Sequence, residues 1–295
     1  MSAQLSGWRG RPHWTNILVI VSAHVMAAVA IYYLVAVRYS GWTVGLAVLW
    51  FLMSGLAITG GYHRLFAHRS YRAASPVRLL YLLFGSAAVQ NSALVWSADH
   101  RAHHAGTDRE GDPYNIRRGF WWAHIGWVFF HAPGERRDES TTRDLDADAL
   151  IRFQHKHYIL LAVCFGLVLP GLVGLLWGDP LGAMLVAGFA RLVFQWHVTF
   201  SVNSFAHWIG RRPYSVATSA RDSFVTALIS LGEGYHNFHH RFQADYRNGV
   251  RWYQFDPTKW LVWTMSKLGV ARDLVRMPPI VIARARLDSL EAVGD

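Results

Sequence analysis

Four apolar stretches decide most of what this chain can become: Ile17 to Val37, Thr43 to Tyr62, Tyr158 to Trp177 and Leu181 to Val202. A helix needs about 20 apolar residues to cross the hydrocarbon core of a bilayer. Lipid offers no partner for a free backbone N–H or C=O, so a run of this length reads as a helix. The connections Arg38 to Trp42 and Gly178 to Pro180 are short, which predicts two hairpins entering the membrane from one side. Arg9, Arg11 and the segment Ala28-Val29-Ala30 imitate a signal peptide, but the apolar run continues to Val37, longer than such a leader requires.

A fifth stretch, Leu79 to Trp96, is uncharged for 18 residues. Charge distribution predicts that it stays out of the bilayer. In that case 63–157 and everything after Ala206 share one side with the N-terminus, and only Arg38 and Arg191 of the 29 Lys and Arg fall elsewhere. The positive-inside rule makes the crowded side cytoplasmic. The same bias accounts for the +10 net charge without nucleic-acid binding. Arg191 sits at membrane depth, as a functional group or bonded to backbone carbonyls. Cys164 is the one cysteine, so a sulfur-ligated redox centre would have to come from a partner.

Histidines cluster on the predicted cytoplasmic side in "HRLFAH" from His63, "HRAHH" from His100 and "HNFHH" from His236. On helices, His100 and His104 are i, i+4 neighbours, as are His236 and His240, with His103 and His239 beside them. His63 and His68 stand about 140° apart on an α-helix and can share a metal only if the helix bends or ends between them. Eight clustered imidazoles exceed the needs of one metal, which argues for two. In "VNSFAH", Asn203 and His207 add an i, i+4 pair where the fourth run emerges. Solitary histidines are more often packed core residues, the reading for His24, His124, His131, His155, His157 and His197; His13 reads as solvated. A bis-histidine haem would need paired rings at matching depth, and a transporter would place ligands near the bilayer midplane.

These boxes, with "WSADHRAHH", "DPYNIRRGFWWAHIGW", "GEGYHNFHH" and "RRPY", resemble the membrane fatty acyl desaturases of the stearoyl-CoA type, in a bacterial form without a fused cytochrome domain. The resemblance implies one all-α integral membrane domain over 1–295: four transmembrane helices (17–37, 43–62, 158–177, 181–202) and a cytoplasmic helical cap (63–157, 206–295) holding a di-iron site. It implies one iron on His63, His68, His100, His104 and His239, and the other on His103, His207, His236 and His240 with a water held by Asn203. Dioxygen and two external electrons would then convert adjacent methylenes of a long-chain acyl-CoA into a cis double bond, delta-9 by family expectation. Asp99, Glu233 and Asp222 are candidates to orient the rings, with a helix cap as the alternative for Asp222.

By the same resemblance, Gln90, Trp96 and Thr199 bend the acyl chain at the metals; Asn91 is a candidate phosphate contact for the substrate. Phe51 and Gly55, i, i+4 on the second span, stand near the deep end of the substrate tunnel. Ala98, Phe130 and His131 depart from the basic residues of the animal pattern, so acyl-lipid and acyl-carrier-protein substrates stay open beside acyl-CoA. Arg117, Arg118, Arg136 and Arg137 are candidate phosphate contacts. Electrons would come from a separate ferredoxin, rubredoxin or small cytochrome with its reductase, and the setting would be a bacterial inner membrane with both termini and the active site cytoplasmic. The competing functions are a membrane di-iron hydroxylase and a non-enzymatic histidine-rich metal-binding protein.

Overall fold

The computed structural model describes residues 10–130 and 139–294; Arg9, His131, Arg136 and Arg137 lie outside them. It is mostly helical, and the described residues hold one two-stranded sheet, Arg72–Ala73 antiparallel to Ala271–Arg272. Four helices are long and apolar enough to cross a membrane: Trp14–Val37, Gly41–Ala67, Tyr158–Trp177 and Pro180–Trp208. Val35, Leu160, Leu172 and Leu176 are exposed along them, as lipid-facing side chains would be. His13, expected to be solvated, instead accepts from Asn16 N at 3.3 Å and caps the first span.

The turns of the two hairpins hold each other. Asp179, only 2% exposed, accepts from the Tyr33 hydroxyl at 2.8 Å and the Thr43 hydroxyl at 2.6 Å, while Arg38 donates to Gly178 O at 2.7 Å. Deeper in, the guanidinium of Arg191 donates to the carbonyls of Ala87, Gly166 and Ala187 and to Gln195 Oε1. Of its two readings, the backbone-carbonyl one describes this arrangement. A buried cation is tolerated because five fixed donors meet four acceptors.

Leu79 to Trp96 does not form one helix. It splits into Ser75–Ser86 and Ala93–Gly106, and Val89 and Asn91 between them adopt positive φ of 49° and 74°. Twelve helical residues reach about 18 Å, short of a hydrocarbon core of about 30 Å. Both halves pack into the cap, where Tyr62, Phe66, Leu82, Ile151 and Val262 share one core. Arg64, 1% exposed, anchors that cap beneath the histidines through Asp256, Glu233 and Tyr246 O.

Candidate metal centre

The second span runs past Tyr62 to Ala67 and widens from Ala57 onward into a π-helical turn. In such a turn the bond runs from i to i+5, and His68 N donates to His63 O at 3.1 Å. Five residues therefore make little more than one turn, and the helix ends where His68 begins. The two rings, set apart by α-helical geometry, approach to 4.9 Å between centroids.

Three further elements deliver the other imidazoles. Ser92 caps Ala93–Gly106, the helix that presents His100, His103 and His104. Asp222 Oδ1 accepts from Asn237 N and Phe238 N at 2.8 and 3.1 Å, capping the short helix His236–Arg241. The cap reading of Asp222 is thus the one its contacts fit. His207 projects from the last turn of the fourth span.

Nine rings converge in two adjacent groups, each with its ring nitrogens within 4.8 Å of one another: His63, His68, His100, His104 and His239, then His103, His207, His236 and His240. Nε2 atoms face each other at 3.0 Å for His63 and His239, 2.8 Å for His68 and His100, 3.0 Å for His104 and His239, 3.0 Å for His236 and His240 and 3.3 Å for His103 and His240. Two ligands about 2.1 Å from one ion and at right angles are about 3.0 Å apart.

The outer nitrogens decide which atom faces inward. His63 Nδ1 donates to Glu233 Oε2 at 2.8 Å and His103 Nδ1 to Asp112 Oδ1 at 2.8 Å. His207 Nδ1 meets Ser219 Oγ at 2.7 Å, and that hydroxyl spends its own hydrogen on Asp108. Thr107 does the same for His240 Nδ1 while donating to His103 O. With Nδ1 protonated, each Nε2 carries a lone pair. Lone pairs that face each other, as those of His103 and His240 do at 3.3 Å, repel, and a cation between them removes the repulsion. His207 Nε2 is moreover buried with no hydrogen-bond partner among the described residues, so the residues present fit metal ions. Burial, reinforced by neighbouring rings, holds His68, His100, His103, His104, His236, His239 and His240 well below the ordinary imidazole range, the neutral state that ligation requires.

Glu233 is held at about 2 against its burial by His63 and Arg64, whereas burial pushes Asp112 up to about 7 despite the N–H groups of Asp108 and Tyr114. The orienting partners Asp112, Asp108 and Ser219 escaped the sequence reading; the one signal was Asp112, opening the "DPYN" run nine residues after His103.

Gln90 Nε2 donates to Thr199 Oγ1 at 2.9 Å, and Trp96 stacks on His100 at 4.9 Å. Asn91 is exposed, its N–H donating to the Tyr158 hydroxyl. Phe51 meets Phe194 edge to face, and a Cβ at Gly55 would stand 2.8 Å from Leu231 Cδ1. Asn203 is half-buried one turn before His207, and Asp99 is half-buried beside His100 in sequence. Arg117 is exposed, and Arg118 lies over Trp122. His155, expected in a core, is exposed and bonded to Ser92 Oγ. His157, read the same way, is half-buried against Phe153. His24 and His197 do lie at matching depth, but their Nε2 atoms are 3.1 Å apart, leaving no room for a haem between them.

Four apolar helices beneath a helical cap, with nine imidazoles gathered at the junction, define an integral membrane protein with a histidine-rich site able to hold metal ions. The fatty acid desaturase family model matches residues 40–273. The chain is 41% identical over 292 residues to a probable acyl-CoA desaturase of Schizosaccharomyces pombe (99% of this chain, 60% of that protein) and 43% identical over 240 residues to acyl-CoA desaturase 1 of Saccharomyces cerevisiae (81% and 47%). It is 37% identical over 288 residues to human stearoyl-CoA desaturase 5 (94% and 86%). The chain belongs to the fatty acid desaturase family. It spans 60% and 47% of the length of the two fungal relatives.

Proposed function

We propose that this chain is an oxidoreductase that inserts a cis double bond, delta-9 by analogy, into a long-chain fatty acyl thioester. Dioxygen is co-substrate and two iron ions are held by the two histidine groups, with Asn203 holding a water beside the second. The observation that carries this reading is the meeting of nine inward-facing imidazoles in two adjacent groups. When bound, the metal pair supplies the strong oxidant that removal of hydrogen from an unactivated methylene demands.

The protein's own part is orientation and exclusion of water. Glu233, Asp112 and the Asp108–Ser219 pair hold His63, His103 and His207 in one tautomer, which is how outer partners tune a metal site. Gln90 and Thr199 tie the irregular segment 87–92 to the fourth span, and Trp96 covers His100; together they form the wall against which an acyl chain bends. Phe51, Gly55 and Leu231 lie at its far end.

Acyl-CoA is the favoured substrate, since the relatives carry that name; Asn91, exposed beside His155 and Lys156, suits its head. Acyl-lipid and acyl-carrier-protein thioesters are the alternatives. Electrons come from a separate ferredoxin, rubredoxin or small cytochrome with its reductase, whose acidic face would suit the basic cap. The charge bias supports a cytoplasmic site and cytoplasmic termini, and a bacterial inner membrane is the proposed setting.

Expression in a host lacking its own desaturase, followed by mapping of double bonds in total lipid, tests the proposal. New alkenes support it. An alcohol product would assign a hydroxylase instead, and unchanged lipids with reversible metal binding would leave a metal-binding protein.

A further inference from the structure

Three histidines outside the metal groups are threaded on one line of hydrogen bonds. His24 Nδ1 meets Ile20 O at 2.7 Å and His24 Nε2 meets His197 Nε2 at 3.1 Å. His197 Nδ1 meets His124 Nε2 at 3.0 Å, His124 Nδ1 meets Ser204 Oγ at 2.9 Å, and Ser204 Oγ meets Phe200 O at 2.9 Å. The line joins the first span, the segment Trp122–Gly126 and the fourth span.

A count of hydrogens exposes an imbalance. Both ends are carbonyl oxygens, which can only accept, so each of the five gaps needs a hydrogen from within the line. Three neutral imidazoles bring one N–H each and Ser204 brings one O–H, leaving the line one short. One added proton fills every gap without moving a ring.

We propose that His24, His197 and His124 form a one-proton store that serves the oxygen chemistry of the neighbouring metal centre. The proposal rests on the desaturase reading. Oxidation of one methylene pair consumes one dioxygen, two electrons from an external one-electron donor protein and two protons; with the two substrate hydrogens these leave as two waters. Those two protons must reach a site from which bulk water is kept out. Ser204 ends the line one residue from Asn203 and three from His207 on the same helix. When the line discharges, His124 Nδ1–H breaks and Ser204 Oγ takes that proton, while the Oγ–H that donates to Phe200 O turns away and its proton would pass to the water proposed beside Asn203.

The rings packed on the line suit a transient cation. Phe120 stacks on His124 at 5.8 Å, placing one aromatic face beside the charge, and Phe200 makes T-shaped contacts with His124 and His197. The other rings against His124, Trp121 and Phe205, do not titrate in this range, so among the ring contacts of the described residues the ionisable groups on the line are its own imidazoles. Burial, then His197, pushes His124 down to about 4, which favours release of a proton localised there.

The test uses full-length protein with 15N-labelled histidine in lipid nanodiscs, zinc-loaded for spectroscopy and iron-loaded for turnover. Between about pH 8 and 4, the three rings should gain one shared proton with a single midpoint, and His197→Asn should abolish that common transition. The iron-loaded His197→Asn enzyme should release roughly three-fold or more hydrogen peroxide per double bond with the bond position unchanged. If that variant does not fold, His24→Gln shortens the line and is read the same way. Rings that stay neutral to the lower limit, three separate midpoints, or an unchanged peroxide yield would overturn the proposal. Wild-type enzyme that forms no alkene would instead sink the desaturase reading, and the spectra would still decide whether the line stores a proton.

Discussion

His63 Nδ1 lies 2.8 Å from Glu233 Oε2, and the other oxygen of the same carboxylate takes the Arg64 guanidinium at 3.0 Å. The π-helical turn of the second span sets these consecutive residues on one acid, so the group that orients an imidazole also locks the cap onto the span.

Glu233 sits at about 2 when folded, against 4.5 for the free side chain. A depressed folded value means that ionisation stabilises the fold. The contribution is complete above about pH 4.5 and drains away as pH falls toward 2. Thermal unfolding in detergent should therefore show midpoints that drop below about pH 4.5 in the wild type. Glu233→Gln should be less stable at pH 6 by about 3 kcal/mol, in line with a broken buried ion pair, and should lose that pH dependence. A variant that keeps the same acid transition would assign it to another group.

His103→Ala and His236→Ala each remove a ring from the second imidazole group. Each should abolish new double bonds in a desaturase-free host while the protein stays in the membrane fraction. Metal per chain, by elemental analysis of purified protein, should fall by about half. Wild-type metal content with retained product would remove these residues from the ligand set.

Gly55 faces Leu231 so closely that a Cβ would lie 2.8 Å from Leu231 Cδ1. Gly55→Leu must displace that methyl or fill the space at the end of the proposed acyl path. Products analysed by gas chromatography should shift toward shorter chains, with the longest substrate losing about ten-fold or more in turnover. Leu231→Ala in the same chain should partly restore them. An unchanged chain-length profile would place the end of the path elsewhere.

Asp179 gathers the Tyr33 and Thr43 hydroxyls and the Gly182 N–H in a buried corner. Asp179→Ala leaves three donors without their acceptor and should cost about 3 kcal/mol or more by unfolding in detergent. Asp179→Asn, which keeps one acceptor oxygen, should cost less. Equal losses would mean that charge, not hydrogen bonding, holds the turns.

Much of this architecture was legible along the chain because its signals are local. Twenty-residue apolar runs announce helices wherever they pack, and "HRAHH" and "HNFHH" put their outer histidines on one face through i, i+4 spacing. The pairing of His63 with His68 was implied by the family resemblance but could not be derived from their spacing. Five-residue spacing predicts separation on an α-helix, and only the packed structure selects the wider turn that brings the rings together. Solitary histidines misled in a different way: His155 was expected in a core and is exposed, while His13 was expected in solvent and caps a helix.

The order of residues alone determined which segments are apolar enough to enter lipid, where the imidazoles are dense, and the charge asymmetry across the spans, since each follows from neighbours within a few turns of helix. Tertiary structure decided that Asp112, Asp108, Ser219 and Glu233 hold the outer ring nitrogens, that Leu79 to Trp96 breaks at 87–92, and that His24, His197 and His124 share one line. Those outcomes depend on groups as far as 173 positions apart, and hydrogen bonds act over about 3 Å. Composition and spacing carry no record of such contacts until packing has paired the helices.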